Sequence, residues 1–178
     1  MPTRTLTASA ADPSTPARAR SHVGARRRFL LAAGALALAP VARAAGAADP
    51  VRVDVWKSPS CGCCKDWVKH LEANGFTVRV FETGNTTMRA RLGMPESLGS
   101  CHTAVVGGYV LEGHVPAADV KKLLASKPQA LGLAVPGMPI GSPGMDGPEY
   151  GPKRDAFDVL LVARDGGTRV FNSYPKVG

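Results

Sequence analysis

The sequence predicts an α/β domain built on one mixed sheet, and three observations lead there. Short runs that alternate apolar and polar residues, the period of a strand, are interleaved with segments whose apolar residues recur at helical spacing. Two glycine-containing turns each join a pair of short apolar runs into a hairpin. A stretch dense in Gly and Pro, in which no regular element is expected, separates the second hairpin from everything before it.

Taken in order, residues 51–56 place Val51, Val53 and Val55 against Arg52 and Asp54, which predicts a strand. Residues 64–73 carry Trp67, Val68 and Leu71 on one helical face, and Asn74-Gly75 supplies the stop. A second strand is expected at 76–81 and a second helix at 86–92, ended by Gly93 with Pro95 shortly after. Runs 103–106 and 109–112 flank Gly107-Gly108, a pair suited to a two-residue hairpin turn. Pro116 opens a helix to about residue 126, with Val120, Leu123 and Leu124 on one face. Strand, helix, strand, helix, strand, strand, helix is the order of a thioredoxin core. Residues 131–152 form the Gly/Pro loop, and runs 158–163 and 168–172 form an extra hairpin across Asp165-Gly166-Gly167.

The first 44 residues read as a cleaved export signal. Arg26, Arg27 and Arg28 precede an apolar run from Phe29 to Val41, shorter than the roughly 20 residues a membrane span needs, and Ala42-Arg43-Ala44 is a small-x-small cleavage site. Consecutive arginines followed by Phe-Leu resemble a twin-arginine signal, with Sec export as the alternative. The whole chain has 22 basic and 14 acidic residues, net +8. Loss of seven arginines and one aspartate with the leader leaves 15 and 13, net +2. The pI near 9.7 therefore belongs to the export signal, and nucleic acid is excluded as a partner. The expected organisation is a leader at 1–44, a linker at 45–50, a core at 51–127, and a C-terminal extension at 128–178 packing on the same domain.

Cys61-Gly62-Cys63-Cys64 sits between a predicted strand and a helix start. Cys61 and Cys64 make a C-x-x-C pair, and unpaired N–H groups at a helix start favour thiolate, which is both nucleophile and metal ligand. Three features turn the reading toward metal. Cys63 is a thiol that a dithiol–disulfide cycle does not need. Cys101-His102 lies before the third strand, where thioredoxins carry a proline, and Met138 and Met145 stand in the Gly/Pro loop. Thiolate, imidazole and thioether together suit a soft cation such as Cu(I). Zinc is the weaker candidate because the methionines would be idle, and an iron–sulfur cluster matches the cysteine number equally well. The competing enzyme reading is a thiol–disulfide oxidoreductase in which Cys61 attacks and Cys64 resolves. His114 is expected to be an ordinary hydrogen-bonded histidine, Met88 and Met94 core residues, and Trp56 and Trp67 packing groups near the site.

Four separated motifs, Cys61-Gly62-Cys63-Cys64-Lys65, Ser100-Cys101-His102-Thr103, Gly113-His114-Val115-Pro116 and the loop from Pro136 to Met145, carry a resemblance to the DUF411-type proteins of bacteria, whose copper-resistance members are called CopG. The resemblance implies a variant thioredoxin-like fold with a C-terminal extension and export to the periplasm. It also implies copper held through cysteine sulfur, as a single ion or a multinuclear cluster. Carried over residue by residue, it makes Cys61, Cys63, Cys64 and Cys101 the sulfur donors, with His102, Met138 and Met145 as further ligands. The partners it implies are copper ions and other periplasmic copper-handling proteins.

Overall fold

The computed structural model describes residues 50–177. The expected leader and its cleavage point at Ala44 lie outside these residues, as does the linker except for Pro50. Seven strands and three α-helices follow in the order β1 (Arg52–Lys57), α1 (Gly62–Ala73), β2 (Thr77–Phe81), α2 (Thr86–Arg91), β3 (His102–Val106), β4 (Tyr109–Glu112), α3 (Ala117–Ser126), β5 (Gly132–Ala134), β6 (Phe157–Val162) and β7 (Thr168–Tyr174). They make one mixed sheet, ordered β2-β1-β3-β4-β5-β6-β7. Two parallel pairs, β1 with β2 and β4 with β5, are bridged by α1 and α3, since a parallel connection needs a crossover. The other four pairs are antiparallel. No helix among the described residues is long and apolar enough to cross a membrane.

Alternation along each strand divides the apolar residues between the two faces. One face holds Val53, Val55, Ala104, Leu111, Leu133, Val159 and Leu161, covered by Trp67 and Leu71 of α1 and by Val120 and Leu123 of α3. The opposite face holds Val110, Ala134 and Val162, packed with Met94 and Leu98 from the segment after α2. Gly107 and Gly108 have φ of 54° and 82°, as a type I′ turn requires at both central positions.

Two differences from the sequence reading bear on the site. Helix α1 begins at Gly62, so the cysteine motif forms its first turn instead of preceding it. More consequentially, the Gly/Pro stretch contains β5, a three-residue strand wholly buried between β4 and β6. Three residues carry no readable period; β5 is a strand because neighbours on both sides take its backbone groups. Through it the extra hairpin continues the main sheet, and Asp119 of α3 ties the far edge by accepting hydrogen bonds from Tyr174 Oη (2.7 Å) and Asn172 Nδ2 (3.0 Å).

Candidate metal centre

Register brings the site together. Pairing of β1 with β3 sets Lys57 against His102, so Cys101, one residue before β3, arrives level with the turn that leads into α1. Pairing of β3 with β4 sets Thr103 against Glu112, and Gly113 N donates to His102 O at 2.9 Å. Two further residues along the same register, His114 stands across from Cys101.

At the start of α1, Cys61 is the N-cap and its sulfur accepts from Cys64 N at 3.3 Å. Cys61 and Cys64 are joined as a disulfide, with Cys63 and Cys101 as free thiols. The thiolate expected at Cys61 or Cys64 is therefore absent in this oxidation state, because neither sulfur has a proton to lose. Cys63 Sγ lies 3.5 Å from Cys61 Sγ and 3.9 Å from Cys101 Sγ. All four sulfurs lie within 4.8 Å of one another, and the donor atoms of Cys101, His102 and His114 form a second group of the same compactness. Cys101 belongs to both.

Burial, followed by the nearby Cys63, pushes the Cys101 thiol up to about 12, so without metal it holds its proton. His114 is fully buried, with Nδ1 2.8 Å from Pro143 O and Nε2 3.1 Å from Cys101 Sγ. A carbonyl only accepts, so Nδ1 carries the hydrogen; burial keeps the ring neutral against the pull of Pro143 O and Asp146, and the Nε2 lone pair faces the sulfur. An imidazole oriented through its other nitrogen by a backbone carbonyl is the usual arrangement of a metal-binding histidine. His102 is also fully buried, its Nδ1 3.4 Å from Cys101 Sγ and its ring 4.2 Å from that of Trp67. Burial, then His114, holds its pKa well below the ordinary range, and its Nε2 has no hydrogen-bond partner among the described residues. Two neutral imidazoles beside four sulfurs fit a soft metal ion.

The sequence-predicted residues Cys61, Cys63, Cys64, Cys101 and His102 thus converge, and His114, read as ordinary, joins them. The signal that finds it is the Gly107-Gly108 turn, since extending that hairpin outward pairs His114 with Cys101. Met145 is buried, whereas Met138 is 52% exposed. The loop between them crosses the first turn of α1 closely. A Cβ on Gly144, whose φ is +84°, would lie 2.5 Å from Cys63 O and 2.7 Å from Trp67 N. Met94 is buried in the second apolar cluster, as expected of a core residue, and Trp67 Nε1 donates to Val115 O at 2.9 Å.

A pH dependence follows from the imidazoles. His70, whose Nε2 accepts from Ala117 N at 3.0 Å, is held below its ordinary pKa of 6.5 by burial, as are His102 and His114. The unfolded chain therefore binds more protons than the folded one as pH falls below 6.5. Stability is full above that value and declines beneath it; Glu112, raised by burial, acts in the opposite sense but is one group against three. The urea midpoint of metal-free protein should be lower at about pH 5.5 than at about pH 7.5; an equal midpoint would contradict the neutral buried state of these rings.

The chain matches the family described as "Protein of unknown function, DUF411" over residues 98–145, which include Cys101, His102, His114 and the loop methionines. It is similar to two solved structures named as copper resistance protein copG, form 1 and form 2. Sequence identity is 49% and 50%, over 71% of this chain in both cases and 98% and 99% of theirs, with TM-scores of 0.66 and 0.65. No curated protein matches it.

Proposed function

The chain belongs to the DUF411 copper-resistance family, and from that premise we propose that it is a periplasmic copper-binding protein that holds Cu(I) at its cysteine cluster and serves copper resistance. The observation that carries this reading is the convergence on Cys101 of two compact donor groups, one of four sulfurs and one with two imidazoles. Thiolate and imidazole are donors Cu(I) accepts, and two adjoining groups sharing one sulfur suit more than one ion. The leader, with Arg26–Arg28, its short apolar run and Ala42-Arg43-Ala44, supports export by the twin-arginine or Sec route. The order β1-α1-β2 followed by β3, β4 and α3, with the cysteines between β1 and α1, supports a variant thioredoxin-like fold.

Loading the full set of thiolates requires the Cys61–Cys64 disulfide to open. A thiol reductant gives it two electrons and two protons, leaving four thiols that each exchange a proton for the metal. Met145 and Met138 would add thioethers, and the exchange partners would be other periplasmic copper-handling proteins.

Titration of the reduced, metal-free protein with Cu(I) tests the reading. Uptake should bring sulfur-to-copper charge-transfer absorption, resist displacement by zinc, and vanish when the thiols are alkylated beforehand. Failure of the reduced protein to take up Cu(I) would overturn it.

The closed Cys61–Cys64 disulfide at a helix N-terminus favours one second reading, a thiol–disulfide oxidoreductase in which a dithiol substrate reduces this bond and is itself oxidised. Catalytic turnover by copper-free protein, lost in Cys61→Ser, would support it; absence of turnover leaves binding alone.

A further inference from the structure

Beside the cysteine cluster lies a buried polar network centred on Glu112. Glu112, at the end of β4, is fully buried, yet its carboxylate is satisfied three times over. Oε1 accepts from Arg89 Nε at 2.9 Å and from Ser100 N at 2.7 Å, and Oε2 accepts from Thr103 Oγ1 at 2.6 Å. Arg89 Nη2 donates to Ser100 O at 2.7 Å, and Asn85, the N-cap of α2, donates from Nδ2 to Ser100 O at 3.1 Å and to Thr103 Oγ1 at 3.2 Å. Both backbone polar groups of Ser100 are thereby held by side chains from two separate elements.

Stability alone is a poor account of this arrangement, because a buried ion pair is often replaced by apolar side chains of similar volume at no loss. Two observations point to positioning. No residue of helix α2 is fully buried, and Asn85 and Arg89 are its polar attachment to the sheet. From each of its members Asn85, Arg89 and Glu112 the network also sends a hydrogen bond to the backbone of Ser100, the residue bonded to Cys101. Rotation of that peptide would carry Cys101 Sγ away from both His114 Nε2 at 3.1 Å and Cys63 Sγ at 3.9 Å. Arginine is needed because its planar fork engages a carboxylate and a carbonyl together, which an ammonium does with less geometric control. Gly99 gives it room, since a Cβ there would lie 2.8 Å from Arg89 Nη1 and 2.9 Å from Glu96 O.

We propose that Asn85, Arg89 and Glu112 are positioning residues that clamp the Ser100 peptide and so aim Cys101 into the metal centre, a role that rests on the copper-binding reading. The test is Arg89→Met, with Asn85→Ala as a second variant should the first not fold. In the oxidised protein Cys63 and Cys101 are the two free thiols, and iodoacetamide with peptide mass analysis reads their alkylation separately. Release of the clamp should speed alkylation of Cys101 by about tenfold or more and leave Cys63 within about twofold, whereas general loosening would expose both together. Cu(I) affinity of the reduced variant, measured by competition with bathocuproine disulfonate, should fall roughly 10- to 100-fold, as is typical when a partner that orients a ligand is removed. Unchanged Cys101 reactivity, or equal acceleration of both thiols, overturns the clamp and leaves the copper reading standing. Selective exposure of Cys101 with undiminished Cu(I) affinity overturns the proposal through the copper reading itself.

Discussion

Cys101→Ser is expected to lower Cu(I) affinity more than serine at any other single cysteine. Cys101 is the one residue common to both donor groups, so its loss takes a sulfur from the cysteine cluster and separates the two imidazoles from it. Each of the other three cysteines belongs to the sulfur group alone. The hydroxyl of serine is a harder and less acidic donor, and Cu(I) does not accept it in exchange. The loss should exceed the roughly 10- to 100-fold seen when only an outer partner of a ligand is removed. The triple serine variant at Cys61, Cys63 and Cys64 sets the lower limit of uptake, because three of the four thiolates go together. Competition with bathocuproine disulfonate measures the whole series under reducing conditions. If serine at Cys63 or Cys64 costs as much as at Cys101, the shared-donor arrangement is wrong.

The largest structural effect is expected from Gly132→Ala. Gly132 lies in β5 beside Val110 of β4, and a Cβ there would fall 1.7 Å from Val110 O and 2.6 Å from Val110 C. Those are backbone atoms within a paired sheet, so no side-chain rotation relieves the clash and the two strands must part. Overpacking against movable side chains costs typically about 1–3 kcal/mol, and this substitution should reach or exceed the top of that range. Its effect should spread, because among the described residues β5 is the only strand that joins β6 and β7 to the rest of the sheet. Urea unfolding should show a lower midpoint, and hydrogen exchange should quicken in β6 and β7 before β1 and β3. A midpoint within experimental error of the parent would contradict the β4–β5 pairing.

The contrast between β5 and the other strands explains what was legible. β1 declares itself through the alternation of Val51, Val53 and Val55, and β3 and β4 as short apolar runs joined by the Gly107-Gly108 turn. β5 is three residues, one of them glycine, inside a stretch crowded with glycine and proline. Its strand character comes from the unpaired backbone groups of β4 and β6 on either side. His114 illustrates the same limit from the other direction. A lone histidine before Val115-Pro116 has no chemistry of its own to announce, although the hairpin register places it opposite Cys101. Glu112 falls in a predicted strand, Arg89 in a predicted helix and Asn85 just before that helix, and nothing in their spacing shows that all three reach one peptide.

The sequence by itself determined the alternation of strands and helices, the placing of three cysteines at a helix start, and the soft character of the donor set. These are local properties, carried by period, turn residues and side-chain chemistry over a few neighbouring positions. Only the tertiary structure decided that Cys101 meets the cluster, that His114 turns its lone pair toward the same sulfur, and that a buried carboxylate holds the peptide beside it. Each depends on strand register and on contacts between residues far apart in the chain, which are selected by the packing of the whole sheet.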